Sequence, residues 1–326
     1  MLNTPFRDTA RPASHVGVVI VASLLINACT GADTPPKAQP TPTVTAAVSS
    51  NPEASTRQTP TTAAKVSKSA PASATAAPAG WTSVWNEDFV GPAGSSPDAT
   101  KWTYDLGGQG WGNSELQNYT DRPSNVSLDG RGNLVITARR ENEGYCWYGD
   151  CTHTSARLLT KDLFTQKYGR IEARVRLPEG QGLWPAFWML GDDLTSAGWP
   201  AAGEIDITEV LGHETNKTYG TLHGPGYSGA DGIGTAYTLP AGQSFSSDFH
   251  VFAIDWAPNE IKWSVDGVLF STKTPADLDG DKWVFDHPFF IIVNLAVGGN
   301  WPGSPDDATR FPAEYVIDYV RTYRAN

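Results

Sequence analysis

Over residues 81–326, apolar positions recur in short stretches, either alternating with polar ones or as β-branched and aromatic runs, between Gly, Pro, Asn and Asp. "NLVITARR", "GRIEARVRL", "HVFAIDWA", "IKWSVDGVLF", "FFIIVNLAV" and "YVIDYVRTY" each read as strand. In "SVDGVLF" an Asp-Gly pair separates two apolar runs, which predicts a tight hairpin. No long amphipathic helix and no fixed-period repeat is visible. Many short strands in one large domain predict an all-β jelly-roll sandwich of two curved antiparallel sheets, with a closed barrel as the alternative.

One predicted strand carries unusual chemistry. "PAAGEIDITEV", Pro200–Val210, sets Glu204, Asp206 and Glu209 in an apolar run. Alternation puts Glu204, Asp206 and Thr208 on one face and Glu209 on the other. A one-residue β-bulge inside "DITE" would reset the alternation and bring Glu209 back to the face of the other two acids. The outer glutamates would then be roughly 13 Å apart at Cα, and long side chains leaning together over a concave sheet would bring the carboxyls closer. Two carboxyls at about 5–5.5 Å, one a nucleophile and one an acid/base, make a retaining glycosidase. The pattern is short enough to arise by chance on a solvated strand, so its surroundings matter. Trp184 and Trp188 in "GLWPAFWMLGDD" share a face of a regular strand, and Trp199 stands five residues before Glu204. Aromatic rings beside carboxylates suit a sugar, whose apolar faces stack on them.

Composition narrows the partner. The 326 residues include 12 Trp, 11 Tyr and 12 Phe, more large rings than packing alone usually requires. A net charge of −11 excludes a nucleic-acid partner, which needs a basic footprint, and leaves a neutral ligand held by aromatic faces as the natural fit.

The N-terminal region reads as an export signal over residues 1–29. Arg7 and Arg11 precede the apolar run Val16–Ala28, whose 13 residues are too few to span a bilayer. Cys29 follows in "LLINAC", which resembles a bacterial lipobox with an atypical Asn27. Lipid attachment at Cys29 and plain secretion both remain open, and only such a lipid anchor would bring the chain to a membrane. Residues 30–80 are dominated by Pro, Thr, Ala and Ser and predict a disordered, extended tether. Cys146 and Cys151 in "YCWYGDC" could close a small loop as a disulfide in an exported chain, or stay as free thiols.

Five motifs in order, "WGNSELQNYT", "LWPAFWML", "GEIDITEV", "YGTLHGPG" and "VNLAVGGNWPG", resemble glycoside hydrolase family 16, closest to its bacterial endo-β-1,3-glucanases or laminarinases. The resemblance runs from "WNEDF" to "IDYVRTY", covering the domain 81–326. It implies a jelly roll with a glycan cleft on its concave face and hydrolysis of β-1,3-glucan with retained configuration. At matching positions it makes Glu204 the nucleophile, Asp206 its helper and Glu209 the acid/base. It further implies that Asn113, Glu115, His223 and Trp301 line the cleft beside Trp184, Trp188 and Trp199. No cofactor is implied for the chemistry. A structural Ca²⁺ on the convex side is the one metal implied, at Glu87, the carbonyl of Gly132 and Asp318. A monomer is expected.

Other readings stay open. A hydrolase of mixed-linkage or agar-type glycan would share the fold, as would a β-glucan transglycosylase. A non-catalytic glucan-binding protein is disfavoured, because both glutamates are present. Sulfated substrates would favour Arg and Lys in the cleft, whose expected segments are poor in both, Arg157 excepted.

Overall fold

A computed structural model describes residues 77–326; the expected export signal, Cys29 and residues 30–76 of the tether lie outside the described residues. Two large sheets pack face to face, as the sandwich reading requires, and among the described residues no closed barrel forms. The larger sheet runs in the order Val268–Lys273, Glu260–Val265, His250–Ala257, Gly169–Arg176, Ala313–Ala325, Leu134–Arg140, His153–Ser155, Gln117–Tyr119. Trp81–Glu87 and Val126–Leu128 add to it beside Ala313–Ala325 and Leu134–Arg140. The smaller sheet runs Ile233–Thr238, Lys217–His223, Glu204–Glu209, Leu183–Gly191, Phe289–Val297, Arg157–Leu159, Thr103–Asp105. All pairings are antiparallel except the short one between Gln117–Tyr119 and His153–Ser155.

The predicted strands form where the pattern placed them. Asp266 and Gly267, both at positive φ, make the two-residue turn that pairs Val265 with Val268. Helix is confined, among the described residues, to Leu194–Ala197 and two short 3₁₀ segments.

Alternation decides which side chains meet. On Leu183–Gly191 the odd positions Leu183, Phe187 and Met189 are fully buried between the sheets. They join Ile205, Ile207 and Leu222 of the smaller sheet and Ile171, Val175, Ile254, Trp256 and Trp263 of the larger one in a single core. Each such side chain contributes about 1.5–3 kcal/mol by leaving water. The even positions, Trp184, Ala186 and Trp188, face the outer surface of the smaller sheet. Gly220 lies under Trp263, whose Cδ1 would be 2.5 Å from any Cβ there, so the core indole reaches the acidic strand only because this residue is glycine.

Candidate active site

The bulge sits where the sequence requires it. Phe187 pairs with Thr208 while the next residue, Trp188, pairs with Asp206, leaving Ile207 without a partner on that strand. On the other side, Asp206 pairs with Thr221 and Glu209 with Tyr219, three residues matched by two. Glu204, Asp206 and Glu209 therefore stand opposite Leu190, Trp188 and Ala186, three alternate positions of one face. Local bonds hold the irregularity. Trp263 Nε1 donates to the Asp206 carbonyl at 2.8 Å, and the Thr208 and Thr218 hydroxyls meet at 2.6 Å. Thr218 also donates to the Glu209 carbonyl at 3.3 Å.

The three acids differ in their partners. Glu204, with 18% of its side chain exposed, accepts from Trp199 Nε1 at 2.8 Å. Its cross-strand neighbour His223 places Nε2 at 3.9 Å from Glu204 and 3.1 Å from Asp206. The His223–Asp206 approach is a close proximity rather than an aligned hydrogen bond, since Asp206 Oδ2 has no hydrogen-bond partner. Glu209 is buried and accepts from Trp184 Nε1 at 3.1 Å. Ligand-type atoms of Glu204, Asp206 and His223 lie within 4.8 Å of one another.

Burial of so many acids raises their proton affinity. Desolvation, with the Asp206 charge added, pushes Glu204 up to about 8. Desolvation also raises Asp206, partly offset by a hydrogen bond with Glu204. Glu209 is raised well above the ordinary carboxyl value by desolvation and then by Asp206 and Glu204. Against the rise at Glu204, the Trp199 N–H at 2.8 Å and the nearby His223 favour its ionised form. Glu209 has the longer indole bond, 3.1 Å from Trp184, and the Asp206 and Glu204 charges beside it favour its protonated form. The two glutamates thus have unlike environments, as a pair with separate acid and nucleophile roles requires.

The expected cleft residues gather on the same face. Trp301, 41% exposed, makes edge contacts with Trp184 at 5.5 Å and Tyr219 at 4.9 Å. Trp188 Nε1 donates to Asn294 Oδ1 at 2.7 Å rather than to a carboxylate. The loop of Asn113 and Glu115 borders the Trp301 loop, with Asn300 N donating to the Asn113 carbonyl at 2.7 Å. Glu115 is buried, and desolvation raises its pKa. It accepts from Gln117 at 2.6 Å and from Tyr119 at 3.2 Å, bonds that brace the cleft wall.

Trp111 and Asn294 escaped the sequence reading, and Arg157 was noted only as the cationic exception in the cleft segments. Arg157 lies between the rings of Trp111 and Trp188, at 4.9 and 4.7 Å, and pairs with Asp105 at 2.9 Å. Asn294 joins Trp188 to Tyr119 through a 3.1 Å bond. A lone Asn within nine buried positions of "FFIIVNLAV" was the available signal for it. The contact of Arg157 with Trp111 had none, since only the folded sheet order brings them together.

Cys146 and Cys151 form the disulfide. The three residues considered for calcium offer hard oxygen donors, and the buried Glu87 Oε2 has no hydrogen-bond partner. Both carboxyls already face cationic side chains, Lys101 at 3.3 Å from Glu87 and Arg174 at 2.7 Å from Asp318. No step of the chemistry is assigned to a metal.

Comparison with known proteins places this geometry. Residues 113–321 match the family model described as glycosyl hydrolases family 16. A beta-glucanase of Rhodothermus marinus is 44% identical over 75% of this chain and 85% of its own length. The laminarinase catalytic domain of Thermotoga maritima MSB8 superposes with a TM-score of 0.71 at 48% identity, over 76% of this chain and 99% of that one. The endo-beta-1,3-glucanase of Pyrococcus furiosus gives 0.72 at 48% identity, over 76% and 95%.

Proposed function

Because this chain belongs to the family 16 glycosyl hydrolases, we propose that it is an endo-acting hydrolase of β-1,3-glucan that retains anomeric configuration. The observation that carries the reading is the bulged strand, which turns Glu204, Asp206 and Glu209 to one face with unlike partners.

In the first step the Glu204 carboxylate attacks the anomeric carbon. The bond to the leaving sugar breaks, and Glu209 gives its proton to the departing oxygen. Glu204 is then esterified and uncharged, which removes one of the charges that held the Glu209 proton. The affinity of Glu209 for a proton falls accordingly. In the second step Glu209 takes a proton from water, the water oxygen attacks the anomeric carbon, and Glu204 is released as carboxylate. Asp206, bonded to Glu204 and facing His223, orients the nucleophile and keeps its charge at the reacting end. Trp184, Trp199 and Trp301 supply the apolar faces for the sugar rings. Arg157 is already engaged by Asp105 and two indoles, which weakens the case for a sulfated substrate.

Digestion of linear β-1,3-, mixed-linkage and β-1,4-glucans, with products sized over time, tests the reading. A ladder of oligosaccharides from β-1,3-glucan supports it, and products longer than the starting oligosaccharides would indicate transglycosylation instead. Glucose alone, or no cutting of β-1,3 linkages, overturns it.

Export, with lipid on Cys29 or as a free secreted monomer, is a separate proposal supported by the N-terminal pattern and the Pro-rich tether. Cys29→Ser, followed by membrane fractionation and native mass, checks it. A structural calcium ion held by Glu87, the Gly132 carbonyl and Asp318 is supported by this set of hard oxygen donors. Chelation should lower the melting temperature if the ion is present, and leave it unchanged if it is not.

A further inference from the structure

Among the described residues four aromatic side chains are exposed: Trp199, Trp301, Tyr145 and Trp147, at 49, 41, 77 and 54%. The first two stand beside the acids. The other two sit on the hairpin of Tyr145–Cys146 and Gly149–Asp150, which the Cys146–Cys151 disulfide closes. Nothing in the reaction uses them.

Their place in the fold suggests a use. A ligand lying across the strands over Glu209 passes Ala186, Asn294 and Arg157, which are aligned by register, and leaves the sheet at Asp105 on its edge strand. That edge is four strand spacings from the acidic strand, about 19 Å. The chain running on from Asp105 leads directly to the hairpin, because Gly108 bridges to Cys146 and its carbonyl accepts from the Trp147 amide at 2.9 Å. Trp147 Nε1 donates to the Glu115 carbonyl at 2.8 Å, and the Tyr148 hydroxyl donates to the Leu116 carbonyl at 2.6 Å. The Trp147 ring packs on Gly110, where a Cβ would come within 2.9 Å of it. The next residue, Trp111, lies on Arg157, which lies on Trp188. Flat surfaces thus continue from the cleft floor to the hairpin.

We infer that Tyr145 and Trp147 form a distal subsite that holds a neutral β-glucan chain several sugar units away from the point of cleavage. The inference rests on the glucanase reading above. Two exposed rings suit the apolar faces of pyranoses, and Glu143 and Asp150 near them in sequence disfavour an anionic glycan. The disulfide and the three bonds to the Gly108–Leu116 segment order the hairpin before binding, so little conformational freedom is lost when sugar arrives.

The test is kcat/KM on β-1,3-glucan oligosaccharides of increasing length, for the wild type, Trp147→Ala, Trp147→Phe and Tyr145→Ala. In the wild type the value should rise with length until the chain spans the edge strand. Trp147→Ala should cut the long-to-short ratio by about tenfold, as for one well-packed indole contact. Tyr145→Ala should cut it less, and Trp147→Phe, which keeps a ring but loses the bond to Glu115, should largely preserve it. An equal loss on short and long substrates overturns the subsite and leaves the hairpin as a brace for the Glu115 loop. An unchanged ratio also overturns it. A wild type that cuts no β-1,3-glucan of any length defeats the functional reading first, and this inference with it.

Discussion

Replacing Trp184 with Phe tests the assignment of the proton to Glu209. The indole N–H donates to Glu209 Oε1 at 3.1 Å and is the contact that favours its ionised form by direct hydrogen bonding. Phe keeps an aromatic ring against Trp301 and removes only the donor. A hydrogen bond to a charged group is worth about 1.5–3 kcal/mol, and the 3.1 Å length argues for the lower end. At about 1.4 kcal/mol per pH unit, Glu209 should hold its proton to a pH about one unit higher. As the acid, Glu209 sets the alkaline limb of kcat/KM, so that limb should move up by about one unit while the acid limb stays. Trp188→Phe is the control, because its N–H goes to Asn294 rather than to a carboxylate. Initial rates on a soluble β-1,3-glucan oligosaccharide across the pH range supply both limbs. An alkaline limb that stays or falls would refute the reasoning. Movement of the acid limb instead would mean that Glu209 is the group that must be ionised, and that the two roles are exchanged.

Three further outcomes are expected. Deleting Thr208 removes the bulge and draws Glu209 toward Asp206 by about one residue's rise of ~3.3 Å, so activity should fall by orders of magnitude with the fold retained by circular dichroism. Near-normal activity would show that the spacing is immaterial. An acid whose folded pKa is raised loses stability as pH climbs above its unfolded value near 4.3, because the unfolded chain releases the proton first. Glu209→Gln should therefore be more stable than wild type by about 1–3 kcal/mol at pH 8, with the gain shrinking toward pH 4; urea melts at both pH values check the sign. Replacing Cys146 and Cys151 together by Ser opens a short loop and should cost at most about 2 kcal/mol, while cleavage of short substrates persists. A complete loss of activity would place the hairpin in the catalytic machinery.

How much of this was legible in the sequence depended on the distance over which each signal acts. Strands such as His250–Ala257 and Phe289–Val297 matched their apolar stretches because alternation and β-branching are local. The bulge was legible because a third acid out of phase has few structural solutions, and Glu209 returned to the face of Glu204 as that logic required. Trp184 and Trp188 shared a face as expected, yet their partners differ, a carboxylate for one and Asn294 for the other. That difference depends on the neighbouring strand Phe289–Val297, which lies about 100 residues along the chain. The burial of Glu115 was not legible, since the exposure of a loop residue is set by what packs over it. The Arg157 sandwich combines residues from three separate segments and left no local trace.

The central claim is the division of labour between the two glutamates, and azide rescue measures it most directly. Each is replaced by Ala and given an aryl β-glycoside of a β-1,3-glucan oligosaccharide with a good leaving group. In Glu204→Ala the vacated space lets azide attack the anomeric carbon from the side opposite the leaving group, and the α-glycosyl azide is predicted. In Glu209→Ala, Glu204 still forms the covalent intermediate, azide needs no base, and the β-glycosyl azide is predicted. Proton NMR of the anomeric centre distinguishes the two. A β-azide from Glu204→Ala together with an α-azide from Glu209→Ala would contradict the assignment.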